Sequence, residues 1–460
     1  MTYDFDKVIN RRGTDCEKWD ILAPNELPMW VADMDFEVAQ PIRNAIQKRL
    51  DQGVYGYSFI PDRWAESYIN WWRNRHQYTM EADWLIFSTG VIPSMSSIVR
   101  KLTTPAEKVV FLTPVYNIFY NSVLNNGRLV SECQLIPQED GTYAINWEDL
   151  EERMADPQAS MMFLCNPHNP TGRIWTREEL ERIGQLAEKY SVIVVSDEIH
   201  CDLTDPGTNY VPFGSVSETC RRVSVTCIAP TKCFNIAGLH TSAICVPDPV
   251  LRHRVNRGLN TDECAEPNVF AIDAAVAAFN EGGEWLDQMR AYVAENKALV
   301  RTFVAREIPE LRVCSGPATY LLWMDGRSLR NVGHGSKMQQ GMVAGAAVGG
   351  NAVGVADSSG DLLAAGESDA SGNLLVAGES DASGNLVAGE FDAQEQDHNY
   401  GSKAPLADYI REKTGLFLSN GEQYGKGGAF HLRMNLACPR SIVEDGLKRL
   451  KAGVEAWVAE

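Results

Sequence analysis

The sequence predicts an α/β protein built on a mostly parallel sheet, and two patterns carry that expectation. Four runs are short, apolar and rich in β-branched residues: KVVFLTP at 108–114, MMFLCNP at 161–167, VIVVSDE at 192–198 and VSVTCIAP at 223–230. Each ends in a polar or proline-containing turn, and continuous apolar runs of this length suit strands buried on both faces. Between the second and third runs, Thr176 and Glu179 have capping-box spacing, and Leu180, Ile183, Ala187 and Tyr190 recur at helical spacing. Strands alternating with helices give a parallel sheet with crossover helices. Such sheets bind ligands beyond the carboxyl ends of their strands, so chemistry is sought among the polar residues there.

Composition sets the outer limits. The chain has 460 residues, 44% hydrophobic and 22% charged, which is ordinary for a globular protein and long enough for two or three domains. A net charge of −19 argues against a general nucleic-acid-coating role. The eleven cysteines are scattered, odd in number and never spaced C-x-x-C. That suits reduced thiols better than a secreted disulfide framework or a zinc ribbon, and no metal is expected. The opening residues, MTYDFDKVINRRGTD, show neither an apolar core segment nor a small-residue cleavage site. No run approaches the roughly 18 apolar residues of a membrane helix. The expectation is a cytoplasmic protein that binds neither nucleic acid nor membrane.

Residues 331–402 differ from the rest, with 14 of the 37 glycines and ten acidic residues against the single basic Lys337. LLAAGESDASGN at 362–373 is followed by LLVAGESDASGN at 374–385 and then LVAGEFDA at 386–393. The segment reads as a flexible acidic insertion in a surface loop. The alternation of Asp369, Ser371 and Asn373 is loosely reminiscent of calcium ligands, but the Gly and Glu that complete an EF-hand loop are missing.

Four clusters fall at strand ends or loops: STGVIPS at 88–94, NPHNPTG at 166–172, SDEIH at 196–200 and APTKCFNIAGL at 229–239. Singly, each has a plain explanation. NPTG is a common turn, an Asp at a strand end usually caps a helix, and a lone Lys is usually solvated. Together and in this order, they resemble the fold-type-I pyridoxal-phosphate enzymes of the aspartate-aminotransferase superfamily. LPMWVADMDF at 27–36, VYGY at 54–57 and TYLLWMD at 319–325 narrow the resemblance to the MalY/PatB family of cystathionine β-lyases. It covers essentially the whole chain except 331–402.

The resemblance implies a large domain with a mostly parallel central sheet, residues 46–285, that binds pyridoxal 5'-phosphate. A smaller α+β domain would comprise residues 286–460, interrupted by 331–402, with residues 1–45 contributing to it. It implies Lys232 as the Schiff-base lysine and Asp197 as the carboxylate that keeps the ring nitrogen protonated. Asn169 and His200 would face the ring's phenolic oxygen, with Ile199 and Tyr116 on opposite ring faces. Gly90, Val91 and Ile92 would hold the phosphate at a strand-to-helix turn, helped by the Thr231 hydroxyl. Tyr57 would reach the phosphate from the neighbouring subunit of a homodimer with shared sites; outside this context it would be taken for a core residue. Arg433 would bind the α-carboxylate of a small sulfur-containing amino acid, and Ala32 would line the pocket through its backbone. His200 as a purely structural histidine and Arg433 as a surface arginine are the plainer alternatives. The function implied is β-elimination of cystathionine or other cysteine S-conjugates to thiol, pyruvate and ammonia. A class I/II aminotransferase uses the same residues, and a partner-binding protein acting through the acidic repeat is the third reading.

Overall fold

The computed structural model describes residues 2–332 and 405–459. The acidic repeat, apart from its first two positions, lies outside the described residues. The larger layer is a seven-stranded sheet. Its strands are β1 (Leu85–Ser88), β2 (Lys108–Thr113), β3 (Leu129–Gln134), β4 (Ala159–Cys165), β5 (Ile193–Asp197), β6 (Ser224–Ile228) and β7 (Ser242–Cys245). They lie in the order β1-β7-β6-β5-β4-β2-β3. From β6 to β3 every neighbour is parallel. Only β7 is antiparallel, to β1 and to β6. The mostly parallel sheet expected from the sequence is the one observed, and the four apolar runs are its central strands.

The runs lack polar alternation because both faces of the sheet are covered. Val109, Phe111, Phe163, Val195 and Val225 enter one core. Val110, Leu112, Met162, Leu164 and Val194 enter the other. Helix Arg177–Tyr190 begins with a complete capping box: Glu179 N donates to Thr176 Oγ1 at 3.2 Å and Thr176 N to Glu179 Oε2 at 2.9 Å. Leu180, Ile183 and Ala187 are buried beneath it. Tyr190 is only half-buried, and its hydroxyl donates to Glu151 at 3.0 Å.

The second layer is a four-stranded antiparallel sheet of Arg312–Val313, Leu321–Asp325, His431–Asn435 and Ser419–Asn420. Its core includes residues of helices Gly283–Glu307, Leu406–Thr414 and Arg440–Ala459. Leu27–Pro28 pairs in parallel with Leu416–Phe417, which ties the N-terminal segment to this layer. The two sides of the undescribed segment meet here, since a Cβ placed on Gly326 would lie 3.1 Å from Leu406 Cδ2.

Candidate active site

The carboxyl ends of the central strands face the second layer across a cleft of about 370 Å³. Ala32, Gly90, Val91, Ile92, Tyr116, Asn169, Asp197, Ile199, His200, Thr231, Lys232 and Arg433 all line it. Tyr57 alone among the sequence-predicted positions does not. It is wholly exposed beside exposed Val54, Tyr55 and Phe59, so reading it as a core residue is wrong.

Each side chain is placed by a strand end or a turn. Strand β1 runs through Gly90 into helix Val91–Leu102, which has no side chain capping its first turn. The leading amides of a helix lack intrahelical partners and favour an anion. A Cβ on Gly90 would stand 3.2 Å from Pro93 Cδ, so glycine keeps this approach open. The loop after β4 is pinned by His168, whose ring nitrogens pair with Leu112 O at 3.0 Å and Thr171 Oγ1 at 2.9 Å. Burial lowers the His168 pKa to about 4, so it is neutral. The turn after β5 is held by Asp202, which accepts from Trp71 Nε1 and pairs with His76 Nε2, each at 3.0 Å. These partners anchor the His200 turn to helix Asp62–His76.

Segment 30–36 straps across the cleft, and many of its backbone groups are used. Ala32 O accepts from Lys232 Nζ at 2.7 Å and from the Tyr320 hydroxyl at 3.1 Å. Asn435 Nδ2 donates to Val31 O at 2.6 Å and Asp33 O at 2.7 Å. Asn235, three residues after Lys232, donates to Met34 O at 3.2 Å and Phe36 O at 2.8 Å, and accepts from Met34 N at 3.2 Å. The WVADMDF sequence is thereby clasped to the loop that carries the lysine.

The electrostatics are those of a dry site. Burial lowers the Lys232 pKa, and the Arg433 charge adds to this; Asp33 and Asp197 oppose it. Burial raises Asp197 to about 7 despite a hydrogen bond from Ile199 N at 3.1 Å. Burial, followed by the charges of Lys232 and Arg433, lowers His200 to about 3. Arg433 is buried, not a surface arginine. Its guanidinium donates to Asn169 Oδ1 at 3.1 Å, Trp30 O at 2.9 Å and Ser419 Oγ at 3.2 Å, and lies over the Tyr424 ring at 5.0 Å. Asn169 therefore connects the strand-end loop to Arg433.

Among the described residues, His200 Nδ1 and Arg433 Nε are buried without a hydrogen-bond partner. A pyridoxal phosphate fits this donor set. It needs an amine, a buried carboxylate, an uncapped helix start and flanking side chains, and all line the cleft. Sequence reasoning missed Glu17, Trp30, Ser419, Tyr424 and His240, which also line it. Trp30 was inside a quoted motif, and the glycine-rich GEQYGKGG at 421–428 is a signal that could have pointed to a loop around Tyr424; Glu17 had no local signal.

The sequence model for aminotransferase class I and II matches residues 31–359. Cystathionine beta-lyase PatB of Bacillus subtilis (strain 168) is 34% identical over 456 residues, covering 98% of this chain and 100% of that protein. The chain belongs to the class I and II aminotransferase family. Protein MalY of Escherichia coli (strain K12), a second relative, is 33% identical, covering 71% of this chain and 85% of that protein. The fold of this family member also matches cystalysin from Treponema denticola, which contains a pyridoxal 5'-phosphate cofactor. That match has a TM-score of 0.80 and 27% identity, covering 99% of this chain and 100% of that one. Among the described residues, no helix is long and apolar enough to cross a membrane.

Proposed function

We propose that this chain is a pyridoxal-phosphate-dependent carbon–sulfur β-lyase, acting on cystathionine or related cysteine S-conjugates to release a thiol, pyruvate and ammonia. The carrying observation is one cleft that holds a buried lysine with a disfavoured ammonium and a buried carboxylate with a raised pKa. The relatives named cystathionine beta-lyase and cystalysin support it.

Bound pyridoxal phosphate supplies a sink for the charge left when the substrate Cα–H bond breaks. Lys232 would hold the cofactor through its amine and, when that amine is free, would take the Cα proton; its lowered pKa leaves more of Nζ unprotonated and able to accept a proton near neutrality. Asp197 would hold a proton on the ring nitrogen. His200, uncharged, would with Asn169 face the phenolic oxygen. Ile199 and Tyr116 would cover the ring faces, while Gly90, Val91, Ile92 and Thr231 would receive the phosphate. Arg433 takes the substrate α-carboxylate as a fixed fork, and the Ala32 carbonyl is the resting place of Lys232 Nζ. Tyr57 completes the phosphate site of a partner in a homodimer, consistent with its complete exposure in the single chain. The reading extends to a large domain at 46–285 and a smaller one formed by 1–45 with 286–460. It also includes a cytoplasmic location, which the eleven free cysteines support.

Purified protein should be yellow, and borohydride should fix the cofactor to the peptide containing Lys232; label on another lysine overturns the assignment. The family's description favours transamination as the second reading. A lyase releases pyruvate and thiol from cystathionine without a 2-oxo-acid acceptor, whereas an aminotransferase requires one. Acceptor-dependent turnover alone would decide for the aminotransferase.

A further inference from the structure

The charges lining the cleft are unevenly accounted for. Arg433 is reserved for one carboxylate, and Asp197 lies at the end of β5 on the cofactor side. Glu17 is left over. It lines the cleft at the start of the short helix Glu17–Asp20 and is exposed. Among the described residues, its carboxylate is in no ion pair or hydrogen bond, although its helix neighbours Lys18 and Asp20 are engaged. Its negative charge nevertheless reaches both Lys232 and Tyr116. Glu17 also borders an adjoining chamber of about 560 Å³ that shares Val31, Ala32, Lys232 and Ala237 with the cleft.

We propose that Glu17 is a specificity-determining residue that receives the ammonium group carried on the leaving-thiol arm of the substrate. This rests on the lyase reading and narrows its substrate class. With the α-carboxylate on Arg433, the arm beyond sulfur has to pass along the cleft wall. In cystathionine that arm ends in an ammonium beside a carboxylate, and Glu17 sets its orientation by drawing the ammonium in and turning the carboxylate toward solvent. A plain alkyl arm has no charge to draw, so neutralising Glu17 touches it only through the small pull on Lys232 that both substrates share. The carboxylate is partly solvated, so its effect is moderate and falls with added salt.

The test compares the parent holoenzyme with Glu17→Gln on cystathionine and on S-ethyl-L-cysteine, measuring pyruvate. The expected result is a loss of about 5-fold in kcat/KM for cystathionine, carried mainly by KM, with a much smaller change for S-ethyl-L-cysteine that appears in kcat. The cystathionine effect should shrink at high ionic strength. Equal losses on both compounds, or none on cystathionine, overturn the proposal while leaving the lyase reading intact. If the parent makes pyruvate from neither compound, the lyase reading fails. Glu17 is then judged by cofactor-absorbance titration with the same two compounds. Weaker binding confined to cystathionine supports its role, and any other pattern overturns it.

Discussion

Asp197 shows what burial does to a single carboxyl group. With its pKa raised to about 7, the cofactor-free protein favours the neutral acid below that pH. In the unfolded chain the group ionises near the ordinary aspartate value of 3.8. As pH rises from about 4 to 7, the native state alone still holds the proton, so this residue's contribution to stability falls. Asn cannot ionise. Cofactor-free Asp197→Asn should therefore gain in melting temperature relative to the parent as pH is raised through this window. The comparison cancels His168 and His200, whose lowered values act in the opposite sense and are common to both proteins. A pH-independent difference would count against the burial argument. In the loaded enzyme, the same substitution should keep cofactor but reduce turnover by about 100-fold or more, because the ring nitrogen loses its fixed counter-charge. Near-native turnover at full occupancy would remove Asp197 from its role. For Arg433→Lys, the flat fork is lost and one point charge remains, so KM should rise by about tenfold or more.

The loops between elements account for motifs that composition alone leaves unexplained. Gly172 has φ +66°, and a Cβ there would lie 2.6 Å from Ala318 O. The Asn169 loop docks at this point on the second layer, through Gly316 N to Thr171 O at 2.7 Å and Ala318 N to Gly172 O at 3.0 Å. Gly172→Ala should destabilise the protein by more than about 2 kcal/mol and weaken substrate binding, because Asn169 and Arg433 would no longer meet. Thermal unfolding and KM measured together check both effects. The strand runs and the capping box were legible because burial on both faces and a local cap write themselves into consecutive residues. The Asn235 clasp was not, since its partners Met34 and Phe36 are some 200 residues away. Tyr424 is only nine residues before Arg433, but the irregular glycine-rich turn between them has no periodicity to show that the two meet. Glu17 was invisible for another reason: an exposed acid on a four-residue helix looks like any solvated surface group.

At the scale of the whole molecule, the compositional break at 331–402 was legible, and so was the helix that resumes after it, where Leu406, Tyr409 and Ile410 recur at helical spacing and are buried. Leu329 and Leu406 belong to one core, and the Trp457 indole donates to Leu329 O at 3.2 Å. Both flanks therefore have packing partners among the described residues. Loop-closure entropy grows only logarithmically with length. Replacing 331–402 with a short Gly/Ser linker should leave melting temperature, assembly state and cystathionine turnover close to those of the parent. A collapse in any of the three would give the repeat a structural or catalytic part. Shared sites are open to a separate check by mixing two inactive variants, Lys232→Ala and Tyr57→Ala. If subunits complement one another, the hybrid regains activity from its one intact site; a mixture that stays inactive argues against a partner-supplied Tyr57.

The Ala32 carbonyl accepts two donors, Lys232 Nζ and the Tyr320 hydroxyl. When the lysine swings away to react, the tyrosine remains, and no buried oxygen is left bare. The reactive amine is thus dispensable to the architecture around it. A chain lacking that amine should still close its strap, giving a folded but inert receptacle. Cofactor and amino acid, added together, could be captured in it before any bond is broken and examined at leisure.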